Sequence, residues 1–283
     1  EEEDKNMLSI IVPAYNEEES IKQIIQDLKN LDFEKEIIVV NDASTDKTKE
    51  ILEKIDGIKL INHRRNMGYG ASLKTGIEQA KNEYILIIDS DGTYPIESIK
   101  ELKKHIPEYD MVIGARKKYR PFYGIPAKWF LNKFASYLTE NKVLDLNSGL
   151  RIFKKQIVLD HWNLFPQRFS FTSTLTMICL TNEYEVKNIK IDYLKRTGKS
   201  KLKPIQSFKK FIGLVLKLAL YFKPLKVFIP LSVLLFFIGL IIFFYSLFFT
   251  EKIFDTTIAT FIISSIQMFA IGMMADLIVK NTK

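Results

Sequence analysis

Cysteine is nearly missing from this chain, with one residue, Cys179, among 283. An internal disulfide has no second thiol to form with, and a chain of this kind fits a reducing compartment. The neighbours Met177, Ile178 and Leu180 are apolar, so Cys179 is expected to pack in a core rather than to act as a nucleophile. Histidine is almost as scarce: His63, His105 and His161 stand far apart, with no metal-ligand spacing, which argues against zinc chemistry. The first six residues are mostly acidic and no apolar h-region of a leader follows them, so no secretory leader is expected. An Arg-rich surface interleaved with aromatics is also lacking, which argues against a nucleic-acid partner despite a net charge of +8. Charge itself is scarce from about Leu225 onward. The basic excess gathers just before that point, as expected beside a membrane surface.

What is present is a repeated alternation of short apolar runs and helical periodicities. Met7–Val12, Glu36–Val40, Ile58–Ile61 and Ile85–Ile88 read as strands. The first three are followed by helices over about Glu18–Leu28, up to Ile55, and through Gly76 to Ala80. Strand and helix alternating at this spacing predict a right-handed, parallel, Rossmann-like α/β sheet. Further on, Pro95–His105 reads as a helix, Asp110–Ala115 as a strand delivering Arg116, and Tyr184–Tyr193 as the last strand before a Lys- and Arg-rich stretch. Lys128, Asn132 and Ser136 fall at i, i+4 and i+8, on one face of a predicted helix.

The remainder is of another kind. Residues 204–224 place Phe208, Phe211, Ile212 and Val215 on one side and Lys209, Lys210 and Lys217 on the other, a basic amphipathic helix suited to the headgroup region. Two apolar stretches follow, over about 225–250 and 256–279, each long enough to span a bilayer. The expected organisation is therefore a domain over 1–203, an interfacial helix over 204–224 and a hairpin over 225–283. Lys223 and Lys226 precede the first span and Lys280 and Lys283 follow the second, so both ends are expected in the cytoplasm. Asp276, near the cytoplasmic end, can reach Lys280. The apolar faces leave room for a homo-oligomer through the hairpins.

The chemistry centres on Asp89-Ser90-Asp91-Gly92, two carboxylates two residues apart directly after a buried strand. Open α/β sheets bind ligands at the carboxyl ends of their strands. Paired carboxylates there are oxygen ligands for Mg²⁺ or Mn²⁺, above all for a metal already holding substrate phosphates. The same four residues also make an ordinary solvated turn, and the motif alone does not decide between the two.

Context does. Ile11-Val12-Pro13-Ala14-Tyr15-Asn16-Glu17, Val40-Asn41-Asp42-Ala43-Ser44-Thr45-Asp46, Asn66-Met67-Gly68-Tyr69-Gly70 and Asp89-Ser90-Asp91-Gly92 resemble, in order, the signatures of family 2 glycosyltransferases, which have the GT-A fold and use sugar nucleotides. Gly114-Ala115-Arg116, Asp145-Leu146-Asn147-Ser148-Gly149-Leu150-Arg151 and Arg196-Thr197-Gly198-Lys199-Ser200-Lys201 are similar to the dolichol-phosphate mannose synthase branch and its undecaprenyl-phosphate relatives. The resemblance implies a mixed, mostly parallel sheet followed by the interfacial helix and hairpin. It implies that Pro13, Tyr15, Glu17, Val40 and Asp42 hold the base and ribose, and that Asp89 and Asp91, with Ser90 nearby, carry the metal on the diphosphate. Arg116, Arg196, Lys199 and Lys201 would supply positive charge to the diphosphate and the acceptor phosphate, with Lys128, Asn132 and Ser136 as further acceptor-phosphate contacts. Asp91 and Arg116 would be the catalytic pair.

Two departures stand out. Thr93 stands where the mannose synthases carry a glutamine, which would make a hydroxyl the third metal ligand and loosens the link to GDP-mannose. The acceptor helix also lacks an expected arginine. The implied reaction is inverting transfer of mannose or glucose from GDP-mannose or UDP-glucose to dolichyl or undecaprenyl phosphate. A phosphate acceptor is already ionised at neutral pH and needs little help from a base; Asp145 is the one candidate for that role. Two other readings are a processive polysaccharide synthase, for which Gln167-Arg168-Phe169 is a poor match to the Gln-x-x-Arg-Trp segment, and a non-catalytic nucleotide-sugar-binding partner.

Overall fold

Val, Ile and Leu fill the first, second and fourth apolar runs, and strands that apolar must be covered on both faces. The computed structural model describes residues 7–117, 133, 136–137, 144–168, 170–194, 213, 216, 219–221, 223–249 and 255–281. Its chain forms two compact units, 1–212 and 213–283.

The first unit is built on a seven-stranded sheet: β1 (Leu8–Ala14), β2 (Lys35–Asn41), β3 (Lys59–Asn62), β4 (Tyr84–Ile87), β5 (Met111–Arg116), β6 (Arg151–Lys154) and β7 (Val186–Ile191), in spatial order β3-β2-β1-β4-β6-β5-β7. The four strands β1 to β4 are parallel. The late arrival, β6, inserts between β4 and β5 antiparallel to both, while β5 and β7 pair in parallel. The sheet is therefore mixed and mostly parallel, and its one reversed strand has a consequence: the carboxyl ends of β1, β2, β4, β5 and β7 and the amino end of β6 all lie along one edge. Central strands β1 and β4 are buried throughout, whereas the outer strands β3 and β7 are mostly half-buried.

The first helix, α1 (Ile21–Lys29), buries Ile21, Ile24, Ile25 and Leu28 at the expected spacing. It packs into one core with Leu8, Ile10 and Val12 of β1 and Leu86 of β4, together with Leu52 of α2 (Thr48–Leu52) and Ile99 and Leu102 of α4 (Ser98–Lys103). Between these lies α3 (Tyr69–Gln79). Among the described residues the unit also contains two helices without a sequence signature, α5 (Lys155–Asp160) and α6 (Phe171–Thr181). Ten of the eleven residues of α6 are buried, including Cys179 beside Met111, as expected for that thiol.

The second unit contains α7 (Leu225–Phe249) and α8 (Asp255–Asn281), both long and apolar enough to cross a membrane. Small residues form their seam. Ser232 Oγ donates to the Ser265 carbonyl at 2.9 Å and Ser265 Oγ returns the bond to the Ser232 carbonyl at 3.0 Å. Gly239 abuts Phe261, and a Cβ at Gly272 would stand 2.6 Å from that of Phe228. Lys280 pairs with Asp276 at 2.8 Å. The amphipathic helix expected over 204–224 lies largely outside the described residues; within it Gly213, Leu216 and the residues 219–221 are helical.

Candidate active site

The polar loops that follow the buried strands meet at the common edge, where side-chain hydrogen bonds lock them together. Ser90 Oγ donates to the Pro13 carbonyl at 2.7 Å, and the Ser90 carbonyl accepts from Ser20 Oγ at 2.6 Å, so the end of β4 is stitched to β1 and α1. The Ser90 hydroxyl and carbonyl are both engaged in these contacts. Pro13 pairs in register with fully buried Val40. Tyr15 and Glu17, just beyond β1, are partly buried. Asn16, at φ +53°, is held against the next loop: its backbone N–H donates to Ser44 and its side chain accepts from the Thr45 N–H at 2.7 Å. The Glu17 N–H donates to Thr48 Oγ1 at 2.8 Å.

Asp42 is buried, and both carboxylate oxygens have partners within the protein. Oδ1 meets His63 Nδ1 at 2.7 Å and the Met67 N–H at 2.8 Å, while Oδ2 accepts from the Gly68 N–H at 2.7 Å. His63 Nε2 in turn lies 3.0 Å from Thr75 Oγ1. In this structure Asp42 shapes the loop between β3 and α3.

The acidic pair occupies the middle of the edge. Tyr69, the first residue of α3, donates its hydroxyl to Asp89 Oδ1 at 2.8 Å. Burial first, and the Asp91 charge second, raise the Asp89 carboxyl from its ordinary value to about 6. Asp91 Oδ1 accepts from Thr93 Oγ1 at 2.6 Å and from the Thr93 N–H at 3.2 Å. Thr93, expected as a third metal ligand, is thus fully buried and directs its proton to Asp91, an orienting role.

Arg116, at the end of β5, forms a two-pronged ion pair with Asp145: Nε donates to Oδ2 at 2.6 Å and one terminal nitrogen to Oδ1 at 2.8 Å, both side chains almost wholly buried. The guanidinium also lies 5.2 Å from the Tyr193 ring centre. Burial alone would make Arg116 easier to deprotonate; the Asp145 hydrogen bonds outweigh it and hold the charge in place. Asp145, the candidate base, is committed to Arg116.

Four residues of the site carried no role in the sequence reading: Tyr69, Tyr94, Gly149 and Arg151. All lie in or next to quoted motifs, yet residue type alone does not reveal their contacts. The Gly149 N–H donates to the Tyr94 hydroxyl at 2.6 Å, and a Cβ on Gly149 would collide with the Asp89 carboxylate. Arg151 is completely buried and touches neutral acceptors, the Ser148 and Thr172 carbonyls and Thr176 Oγ1. Of the expected acceptor-phosphate residues, Ser136 is a partly buried helical residue. Lys128, Asn132, Arg196, Lys199 and Lys201 lie outside the described residues.

The carboxylate pair suits a hard divalent cation. Asp89, whose carboxyl is raised by burial and by the neighbouring Asp91 charge, is relieved by a 2+ charge, and both acids offer oxygen ligands. Among the described residues no group of three or more His, Cys, Asp and Glu side chains could hold a metal by itself. A metal seated here would complete its shell with substrate phosphates and water, as Mg²⁺ and Mn²⁺ do at phosphate sites.

A mixed sheet with its ligand edge carrying paired acids, followed by an apolar helical hairpin, defines a GT-A-type domain with a membrane-type appendage. Comparison with known families makes this specific. Residues 9–160, just over half of the chain, match the glycosyl transferase family 2 model, and residues 223–280 match the GtrB C-terminal hairpin. The chain belongs to glycosyl transferase family 2. It is 31% identical over 245 residues to a dolichyl-phosphate beta-glucosyltransferase of Trichomonas vaginalis, covering 76% of this chain and 71% of the relative. It is 30% identical over 224 residues to the undecaprenyl-phosphate 4-deoxy-4-formamido-L-arabinose transferase of Proteus mirabilis, covering 74% and 66%. Among solved structures, glucosyl-3-phosphoglycerate synthase from Mycobacterium tuberculosis, in complex with Mn²⁺, UDP and glucosyl-3-phosphoglycerate, superimposes with a TM-score of 0.60 at 16% identity, over 75% of this chain and 80% of that one. At that identity the likeness concerns the fold.

Proposed function

We propose that the protein transfers a hexose, glucose before mannose, from a nucleoside diphosphate sugar to a polyprenyl phosphate, with inversion at the anomeric carbon. The observation that carries the reading is the union of a family 2 acidic-pair site with a GtrB-type hairpin in one chain. Relatives named for dolichyl- and undecaprenyl-phosphate substrates align over about three quarters of this chain, and the glucosyltransferase name of one of them is the reason for ranking UDP-glucose ahead of GDP-mannose.

In this reading an acceptor phosphate oxygen attacks the anomeric carbon while the bond from that carbon to the diphosphate oxygen breaks. The electron pair leaves on the nucleoside diphosphate. A divalent cation, Mg²⁺ or Mn²⁺, held by Asp89 and Asp91 would neutralise the charge developing on that leaving group. Tyr69 and Thr93 fix the two carboxylates beforehand, so little reorganisation is needed during the reaction. Arg116 keeps its charge at the same edge because Asp145 grips it. No base is required, since a phosphate monoester, with its second pKa near ~6, is mostly a dianion at neutral pH. Pro13, Tyr15, Glu17, Val40 and Asp42 form the wall assigned to the base and ribose, Asp42 by shaping the 63–68 loop. Lys128, Asn132, Ser136, Arg196, Lys199 and Lys201 are assigned to the phosphates. The division into a domain over 1–203, an interfacial helix over 204–224 and a two-span hairpin completes the assignment, with the domain and both ends in the cytoplasm.

The test is transfer by the full chain in detergent, supplied with one polyprenyl phosphate and labelled UDP-glucose, UDP-N-acetylglucosamine or GDP-mannose in turn. The expected result is a labelled lipid with UDP-glucose that disappears on chelation of divalent metal. Asp91→Ala should abolish it while the melting temperature is retained. Tight nucleotide binding without transfer from any donor would instead mark a non-catalytic partner.

A further inference from the structure

His63 joins two elements of the ligand edge. Its main chain continues the pairing of β2 with β3, the backbone N–H donating to the Asn41 carbonyl at 2.9 Å. Its ring bridges outward from there. Nδ1 stands 2.7 Å from Asp42 Oδ1, just past the end of β2, and Nε2 stands 3.0 Å from Thr75 Oγ1 of α3. Only 7% of the His63 side chain and 5% of the Asp42 side chain are exposed.

The partners fix where the protons lie. Asp42 accepts backbone N–H groups on both oxygens, from Met67 on Oδ1 and from Gly68 on Oδ2, so the proton between it and the ring belongs to His63 Nδ1. In the neutral ring Nε2 is then an acceptor, and the Thr75 hydroxyl donates to it. A carboxylate offers about four acceptor positions. Among the described residues His63 and Met67 fill those of Oδ1, whereas Gly68 alone meets Oδ2, so Oδ2 is the oxygen with capacity for a further donor. A nucleoside brings such donors, a ring N–H or the ribose hydroxyls. Without the ring, Oδ1 regains an open position and the carboxylate can turn about its Cβ–Cγ bond, exchanging its two oxygens. Residues 64–67, which the same carboxylate holds in place, are exposed, so no packing compensates for the lost bond.

We propose that His63 is a positioning residue for the nucleotide: it occupies Asp42 Oδ1, so that Oδ2 and the 64–68 loop meet the base and ribose in one fixed arrangement. The proposal rests on the nucleotide-sugar reading of the site and adds to it the residue that sets donor affinity. His63 acts on binding and not on the chemical step, because Asp89, Asp91 and Arg116 have their own anchors in Tyr69, Thr93 and Asp145.

Three variants of the full chain in detergent test this, with UDP and GDP each titrated calorimetrically in the presence of Mn²⁺ and steady-state transfer measured on the same samples. His63→Asn places an amide at the Nδ1 position and keeps the Asp42 bond. His63→Gln places it at the Nε2 position and keeps only Thr75, and His63→Phe keeps neither. His63→Gln and His63→Phe should weaken nucleotide binding and raise KM for the sugar nucleotide about 10-fold, the lower end of what a hydrogen bond to a charged group is worth. Their kcat should stay within about twofold of the wild type, the mark of a lost binding interaction, and His63→Asn should bind almost as the wild type does. The two amide variants are both polar, so their contrast decides the matter even where His63→Phe does not fold. Unchanged binding in His63→Gln, equal weakening in His63→Asn and His63→Gln, or a loss carried by kcat alone overturns the role of His63 and leaves the nucleotide-sugar reading standing. A wild-type protein that binds neither nucleotide overturns both.

Discussion

Gly149 carries more of the acidic site than its size suggests. Its backbone is not among those with positive φ, so alanine meets no conformational penalty there; the obstacle is Asp89, whose carboxylate fills the space a Cβ would take. Gly149 cannot retreat, because its N–H is bound to Tyr94 and the preceding Ser148 is anchored to the Gly114 carbonyl and to Arg151. Gly149→Ala must therefore push Asp89 off the Tyr69 hydroxyl. The expected outcome is a fall in transfer of about 100-fold, the scale of an ångström-sized misplacement of a reacting group, with a stability loss of about 1–3 kcal/mol from overpacking. Steady-state transfer assays and thermal melts on the same sample separate the two effects. Wild-type activity would show that Asp89 can move without consequence. The acidic pair itself was legible in the sequence because type and spacing carry its chemistry. Gly149 and Tyr69 were not, because a glycine chosen for what it must not touch has no signature in one chain.

At the scale of elements, α3 is placed by a segment almost a hundred residues later. The Gly70 and Ala71 N–H groups donate to the Arg168 and Gln167 carbonyls at 2.8 and 2.6 Å, and Lys74 Nζ reaches the Trp162 carbonyl at 3.0 Å while lying 4.3 Å from the Trp162 ring centre. Gln167 and Arg168 thus hold α3, and with it Tyr69, through their backbone; the poor match to a processive-synthase segment has a structural use. A Cβ on Gly70 would run into the Pro166 carbonyl. Gly70→Ala should cost about 1–3 kcal/mol, read as a lower melting temperature, and should weaken transfer by displacing Tyr69 from Asp89. An unchanged melting temperature would show that the 166–168 segment yields freely. The parallel strands and α1 were readable from their periodicity, since central strands and amphipathic helices each leave a pattern. The helix α6 was not, because a helix buried on all sides has no polar face to mark its period. Strand β6 followed a recognisable polar loop, but its reversed direction is set by pairing with β4 and β5, which no local pattern encodes.

For the whole molecule the decisive quantity is the distribution of charge around the two apolar helices. Lys223 and Lys226 flank the start of α7, and Lys280 and Lys283 the end of α8, whereas the connection between them contributes Glu251, Lys252 and Asp255. Short flanking segments rich in lysine are retained on the cytoplasmic side. In a hairpin that spans a bilayer both ends share one side and the two lysine clusters act together, which supports the cytoplasmic placement proposed above. This placement also suits the proposed chemistry, because a site that binds nucleoside diphosphates must face the compartment that contains them. Single cysteines report the arrangement directly, the native Cys179 being buried. On intact cells an impermeant thiol reagent should label Asp255→Cys and leave Lys280→Cys unmodified until the membrane is opened. Labelling of Lys280→Cys alone would invert the hairpin and place the acidic edge outside the cytoplasm, and labelling of both would show that α8 crosses no membrane.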